Sequence, residues 1–325
     1  MDETRYHLEA LADSDFQAVA RIWTRNDPES PVSEEEVRQL FQRGDEPRFV
    51  RYRGAIVDAQ ADEIVAVSYL RQDGIAFDPD FARAGVSVDP SHQHRGLGRR
   101  LFEDVEGVAR AHGLKGLWAA ASTLDPRAVR FFEQAGFREQ RRRWVSRLDV
   151  NQPPTNRPPR NVGRNFPQDV VFTTVQDEGP ELPAVRERLH RLYLDTIKDV
   201  PRLRGLTNST LDEFVRMTFE DVGCLPEAMF LARVGDRYVS FTIANRRVAE
   251  PDVLHISFTG TLAEFRGRGL AEELKRRSIE FARGHGYRYL QTENDSENDR
   301  IWSINQKLGF RQFRVWVMGE KLLTM

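Results

Sequence analysis

A short turn-forming pattern occurs twice in this chain, and its recurrence limits what the chain can fold into. The first copy reads Val88-Asp89-Pro90-Ser91-His92-Gln93-His94-Arg95-Gly96-Leu97-Gly98, and the second reads Thr261-Leu262-Ala263-Glu264-Phe265-Arg266-Gly267-Arg268-Gly269-Leu270-Ala271. Both reduce to Gln or Arg, two residues, Gly, one residue, Gly or Ala, and Gln93 and Arg266 stand 173 positions apart. Each copy follows a β-branched run (85–88 and 255–261) and opens a run of helical period, which predicts a strand, a tight turn and a helix start. Small residues let backbone come close to a ligand, and the unpaired N–H groups of a first helical turn add to the helix dipole, so the turn is an anion site. A pyrophosphate matches it.

A second pair of segments follows at the same spacing. Residues 125–137 carry Asp125, Phe131, Phe132, Gly136 and Phe137, and residues 298–310 carry Asn298, Ile304, Asn305, Gly309 and Phe310. Each reads as a helix closed by Gly in the left-handed cap position. Two motifs at one separation, found twice, divide the chain into two related halves.

Length agrees, since 325 residues suit two units of about 150, each able to bury its own core. With 40% hydrophobic and 30% charged residues the composition is globular. Forty-eight basic and fifty acidic residues leave a net charge of −2, so no global charge asks for nucleic acid or an anionic membrane. Any anion site is local. The single cysteine, Cys224, excludes an intrachain disulfide and reads as a small apolar residue rather than a nucleophile. The N-terminus is polar and no window approaches a membrane span, so a cytoplasmic location is expected.

Taken in order, the first half predicts a strand over 6–11, a helix with Phe16, Val19, Ala20 and Trp23 inward, and a second helix behind the capping box of Ser33 and Glu36. A hairpin over 48–57 and 64–70, a strand over 81–88 and a helix with Leu97, Leu101, Val105, Val108 and Ala109 buried come next. A strand over 117–121, a helix over 125–135 and closing strands over 138–148 complete it. Arg141, Arg142 and Arg143 read as the solvated side of an edge strand. Residues 151–168 hold five prolines, three arginines and no acid, which is a semi-extended linker. The second half repeats the order, with strands over 170–175, 229–244, 253–261, 289–292 and 310–318. The order predicts, in each half, a mixed and mostly antiparallel sheet with helices on both faces, an α/β (α+β) fold.

These paired motifs resemble the GNAT superfamily of N-acetyltransferases, in tandem. The resemblance rests on the Gln/Arg-x-x-Gly-x-Gly/Ala turn and the helix ending in Gly-Phe, and with flanking elements it spans nearly all of both halves. It implies two GNAT-like domains, 1–150 and 169–325, around the linker 151–168. It also implies acetyl-coenzyme A, or another acyl-coenzyme A, as donor. Backbone amides of Gln93, His94, Arg95, Gly96, Leu97, Gly98 and Arg99 would line one pyrophosphate, and those of Arg266, Gly267, Arg268, Gly269, Leu270, Ala271 and Glu272 another. Val88 and Thr261 would meet pantetheine and the acyl carbonyl, and the later helix, with Asn298 and Asn305, would flank pantetheine and thiol.

Acetyl transfer also needs a base for the acceptor ammonium and often an acid for the departing thiolate. His255 is the first candidate base, in register on one strand with Ser257, Thr259 and Thr261 and so expected on their face, and an imidazole titrates near neutrality. Glu293 is the second. Many family members carry Tyr as the acid where this chain has Phe132 and Asn305, and neither of these is acidic. Asp125 replaces the common Asn in the first half, which also lacks a comparable base, because Ser87 and Ser122 at most order a water. His92 and His94 have no third ligand at metal spacing, so no metal is expected. The reading is an acetyl-coenzyme A-dependent N-acetyltransferase acting on a small-molecule amine, with the second half as catalyst. Its rivals are catalysis by the first half with the second as scaffold, and a non-catalytic acyl-coenzyme A-binding protein.

Overall fold

The computed structural model describes residues 4–42, 47–72, 77–152, 166, 169–200 and 209–323. The expected linker lies outside the described residues except for Asn151, Gln152 and Phe166. The first half runs Tyr6–Ala10 (β1), Phe16–Asn26 (α1), Glu34–Gln42 (α2), Arg51–Asp58 (β2), Glu63–Arg71 (β3), Phe81–Val88 (β4), Leu97–Ala111 (α3), Gly116–Ser122 (β5), Pro126–Gln134 (α4) and Arg138–Asp149 (β6). The second runs Val170–Thr174 (β7), Val175–Glu178 (α5), Pro183–Ile197 (α6), Leu211–Thr218 (α7), Met229–Val234 (β8), Arg237–Arg246 (β9), Val253–Thr261 (β10), Leu270–Gly284 (α8), Tyr289–Asp295 (β11), Asp299–Lys307 (α9) and Arg311–Leu322 (β12).

Local sequence accounts for most boundaries. The Ser33 hydroxyl accepts the Glu36 N–H at 3.1 Å and the Glu36 carboxylate accepts the Ser33 N–H at 2.8 Å, which starts α2 as the capping box predicts. Thr210 and Glu213 form the same box before α7. In α1 the fully buried residues are Phe16, Val19 and Ile22, while Trp23 is only partly covered, against Phe41 and Tyr69. Along β2 and β3, Ala55 and Val67 pack with α1 and α2, whereas Ile56 and Ala66 pack with Leu97 and Leu101 of α3. Helices therefore cover both faces.

Among the described residues all twelve strands join one sheet, ordered β1-β2-β3-β4-β5-β12-β6-β11-β10-β9-β8-β7. Only β4–β5 and β10–β11 are parallel. The order corrects the expectation that each half closes its own sheet. Strand β12, at the end of the second half, inserts beside β5, and β6, at the end of the first, lies beside β11. The exchange is symmetric: Ala119 pairs with Gly319, and their counterparts Thr292 and Ser146 pair likewise. Trp316 pairs with Arg143, two positions that are counterparts of each other, so the twofold of the duplication passes through that pair.

The edge-strand reading of Arg141 to Arg143 falls with it. Strand β6 is interior, and its arginines meet the other half: Arg141 pairs with Asp295 at 3.1 Å with both side chains buried, and Arg143 with Glu293 at 3.4 Å. Further pairs join the halves, including Arg48–Glu213, Arg247–Glu36 and Arg314–Asp27.

Candidate active site

Each parallel strand pair separates toward its carboxyl end. Strands β4 and β5 pair only from Phe81–Gly116 to Arg83–Trp118, and β10 and β11 only from Val253–Tyr289 to Ile256–Thr292. Beyond those pairs the facing edges have no ladder partner across the gap, and such a crevice at the carboxyl ends of parallel strands is where α/β proteins take ligands. The recurrent turns stand at the two gaps. Gly96 and Gly269, both at φ +81°, are the N-caps of α3 and α8. Two residues earlier, His94 at φ +62° and Gly267 at φ +75° share the left-handed region, so the two turns have one backbone form despite different side chains. The free amides of both first turns point from the same geometry.

Side chains fix each turn to the strand before it. The Gln93 amide donates to the Val88 carbonyl at 3.2 Å and to Asn26 at 3.0 Å, and it accepts from Arg127 at 2.9 Å. In the second half Arg266 takes over, donating to the Thr261 carbonyl at 3.1 Å and pairing with Asp199. Arg95 and Arg268 both bend back onto the carbonyl four residues earlier, of Ser91 and of Glu264. Their charge stays at the turn. Charge in the first helical turn differs: α3 opens with Leu97, Gly98, Arg99 and Arg100, while α8 carries Glu272 and Glu273, each paired with an arginine one turn later. Leu270 is buried beneath its turn and Ala271 is half-buried.

The helices after the gaps begin alike. Asp125 caps α4 by accepting the Arg127 N–H at 3.0 Å, and Asn298 caps α9 by accepting the Ile301 N–H at 3.3 Å. The Asp125 charge is met by the Arg127 guanidinium at 3.0 Å.

Under the gaps the two halves part in chemistry. Positions 102, 132, 137, 119, 121 and 319 of the first gap correspond, at the 173-residue spacing, to 275, 305, 310, 292, 294 and 146 of the second. In the first, Phe132 stacks on Phe137 at 5.0 Å and Phe102 lies 5.6 Å from Phe137, with Ala119 and Ala121 beside them. Gly319 is required there, since a Cβ would come within 2.1 Å of the Arg138 carbonyl oxygen and 2.7 Å of the Phe132 ring. In the second, the same places hold Lys275, Asn305, Phe310, Thr292, Asn294 and Ser146. Asn305 donates to Asn294 at 3.3 Å, and Thr292 donates to the Ile256 carbonyl at 3.3 Å, at the apex of the gap. Lys275, Asn305 and Ser146 are wholly buried, and Lys275 Nζ, Asn305 Oδ1 and Ser146 Oγ have no hydrogen-bond partner. Nζ lies 5.5 Å from the Phe310 ring. With no carboxylate facing it, burial pulls the Lys275 ammonium down to about 7.

His255 and Glu293 lie on the opposite face of the same strands. A bulge between Ile256 and Phe258 inverts the alternation of β10. Leu254 and Ile256 pack with Ala282 of α8, while Phe258 packs with Tyr193 of α6 at 5.2 Å. His255 therefore shares a face with Phe258 and not with Thr259 and Thr261, contrary to simple alternation. The structure does bring His255 and Glu293 together, each acting on the other's charge. Burial holds His255 below the usual imidazole range against the opposing pull of Glu293, and its Nδ1 is buried without a partner. Partial burial would raise Glu293, whose side chain stays 33% exposed, but the charges of Arg143, His255 and Arg247 outweigh it and hold the carboxyl low. A neutral imidazole beside an ionised carboxylate can accept a proton. Cys224 packs against the second-half core and burial pushes its thiol up to about 11, so it is not a thiolate nucleophile near neutral pH.

Sequence reading missed Lys275 and Ser146, and it took the arginines of β6 for an exposed edge. Lys275 adjoins the buried stripe of α8 and was legible only against its counterpart, Phe102; the rest depend on the strand exchange, which no local pattern encodes.

A sheet with two such gaps, each with a matching left-handed turn at a helix start, defines a duplicated α/β architecture. The family model of the acetyltransferase (GNAT) family matches residues 16–137 and again 185–310, so the chain belongs to that family and is an N-acetyltransferase. It is 26% identical over 287 residues to a mycothiol acetyltransferase of Thermobifida fusca, with 82% of each chain covered. Among solved structures it is similar to a tandem GNAT protein from the clavulanic acid biosynthesis pathway (TM-score 0.74, 16% identity, 98% of each chain). It is likewise similar to a GCN5-related N-acetyltransferase from Sphaerobacter thermophilus (TM-score 0.71, 18% identity, 98% of this chain and 96% of that one). Members of the family generally use acetyl-coenzyme A and act on amines. No described helix is long and apolar enough to cross a membrane, and no described residues gather as a metal site.

Proposed function

We propose that this chain transfers the acetyl group of acetyl-coenzyme A to the amine of a small molecule, and that the second half performs the transfer. One observation carries the assignment: the second gap is lined on both faces by polar groups, His255 and Glu293 on one and Thr292, Asn294 and Asn305 on the other, where the first is closed by phenylalanine rings. The amides from Arg266 to Glu272 hold the pyrophosphate, and pantetheine adds to the open edges of β10 and β11 as an extra strand would. With the thioester at the apex, a neutral His255 takes the proton of the incoming amine and Glu293 favours the imidazolium that forms. Asn305 and Asn298 steady the helix beside the thiol. The amides from Gln93 to Arg99 offer a second coenzyme site in the first half.

Turnover of acetyl-coenzyme A against a panel of small amines, followed by release of free thiol and mass of the product, tests this reading. Thiol release matched by an acetylated amine is expected. Saturable coenzyme binding without thiol release would instead make the chain an acyl-coenzyme A-binding protein.

A further inference from the structure

Buried polar atoms in folded proteins are almost always paired, so three unpaired ones at one place need a reason. Lys275 Nζ, Asn305 Oδ1 and Ser146 Oγ come from α8, α9 and β6, and their counterparts Phe102, Phe132 and Gly319 show that the same backbone closes this space with apolar atoms. The polar version is a substitution of chemistry on an unchanged plan. Its place is informative. A ligand held by its phosphate at the first turn of α8 and extended along the gap between β10 and β11 ends at the Ile256–Thr292 apex, and Asn294 and Asn305 lie beside that apex on the α8 face.

We propose that the coenzyme sulfur enters this pocket, where Lys275 Nζ delivers a proton to it as the carbon–sulfur bond breaks and Asn305 holds it in position. The inference rests on the reading that the second half binds the thioester. In the step, the acceptor nitrogen forms its bond to the acetyl carbon and gives up a proton to His255. The carbon–sulfur bond then breaks with its electron pair on sulfur, and an N–H proton of the Lys275 ammonium passes to sulfur to give the free thiol. Lys275 regains a proton from solvent as His255 returns its own, so protons balance over the cycle. Burial with no carboxylate in contact leaves Nζ able to exist in either form near neutral pH, as a reversible donor must. The charged group that faces it is His255 across the sheet on β10, and its neighbours along α8, Glu272 and Arg276, pair with each other at 3.0 Å. The Phe310 ring, 5.5 Å from Nζ, adds no charge.

The experiment titrates the thiol of bound coenzyme A through its thiolate absorbance in the ultraviolet, in wild type, Lys275→Met and Lys275→Gln, with coenzyme affinity and thermal unfolding measured on each. In wild type the ammonium favours the thiolate, and the bound thiol should ionise at least one pH unit, about tenfold, below a free thiol of pKa ~8.5. Both variants should bind coenzyme A to within about threefold, because the phosphate turn is intact, and should lose that shift. Coenzyme in the first half, next to phenylalanine rings, titrates equally in all three proteins and cancels. Equal titrations in wild type and both variants, with binding intact, would overturn the proposal. Failure of wild type to bind coenzyme A at all would overturn the reading beneath it, and shows in the affinity measurement alone.

Discussion

Phe102, Phe132 and Phe137 close the space under the first gap, where Lys275, Asn305 and Phe310 stand under the second. The two regions share strand order, bulk and turn geometry down to the left-handed backbone two residues before each helix cap. They differ in what the interior can do. The first interior gains stability from aromatic burial, and an ammonium against it, Lys321 over the Phe102 ring at 4.8 Å, is paired with Glu106; the second leaves polar atoms unpaired at a cost. At the phosphate end the balance reverses, since α3 opens with arginines and α8 with paired glutamates. Duplication has preserved the turn backbone in both halves while the side chains beneath it have diverged.

The largest expected effect lies in the base. Changing His255 to Ala should lower kcat/KM at pH 7 by roughly 10²–10⁴, with partial recovery as pH rises and the acceptor deprotonates itself. A pH–rate profile reads both. Its counterpart is Ala82, so the first half has nothing equivalent to lose. Retention of the wild-type rate and profile would move the base to Glu293 or to an ordered water.

Next comes an exchange of interiors. Phe132→Asn puts an amide under the aromatic stack of the first half and should cost about 3–5 kcal/mol of stability, as loss of a buried Phe does. Asn305→Phe should be destabilising alone, because Ser146 stands where the first half needs Gly319, and Ser146→Gly should rescue it. Denaturant unfolding of the singles and the double measures the coupling.

A smaller effect of opposite sign belongs to Lys275. Lys275→Met should raise stability by on the order of 1–3 kcal/mol at pH 7. The folded-state value of about 7 lies below the ordinary lysine value of 10.5, so the unfolded chain binds more protons between those limits. Wild-type stability should therefore gain from this group as pH rises through that window, with the penalty fully present below it. The variant should lack that slope.

Smallest is His94→Gly, which relieves a left-handed non-glycine residue and should stabilise the first turn by up to about 1 kcal/mol without altering second-half turnover.

Much of this was legible in sequence because it is written in local pattern. Turns, caps and helix stripes follow from residues a few positions apart, as with Ser33 and Glu36 or Gly96 and Gly269. The strand exchange was not, since β6 and β12 satisfy the alternation of a closing strand equally well in either sheet. His255 was found by residue type, but its face was misplaced because a single extra residue at the Ile256–Phe258 bulge reverses every side chain beyond it. Lys275 was hidden because a lysine on a helix is ordinarily solvated, and only its complete burial, with Nζ over the Phe310 ring, makes it exceptional.

The division of labour is tested most directly by matched lesions in the two turns. Gly96 and Gly269 have the same φ of +81°, so Gly96→Asp and Gly269→Asp impose a like backbone strain and place a like charge against a like pyrophosphate. Acetyl-coenzyme A turnover with an accepted amine is measured for each at subsaturating coenzyme. Gly269→Asp should lower it at least tenfold while Gly96→Asp leaves it within about twofold, the combined strain and repulsion exceeding the 1.4 kcal/mol that a factor of ten represents. Turnover lost through Gly96→Asp and kept in Gly269→Asp would contradict the account and place catalysis in the first half.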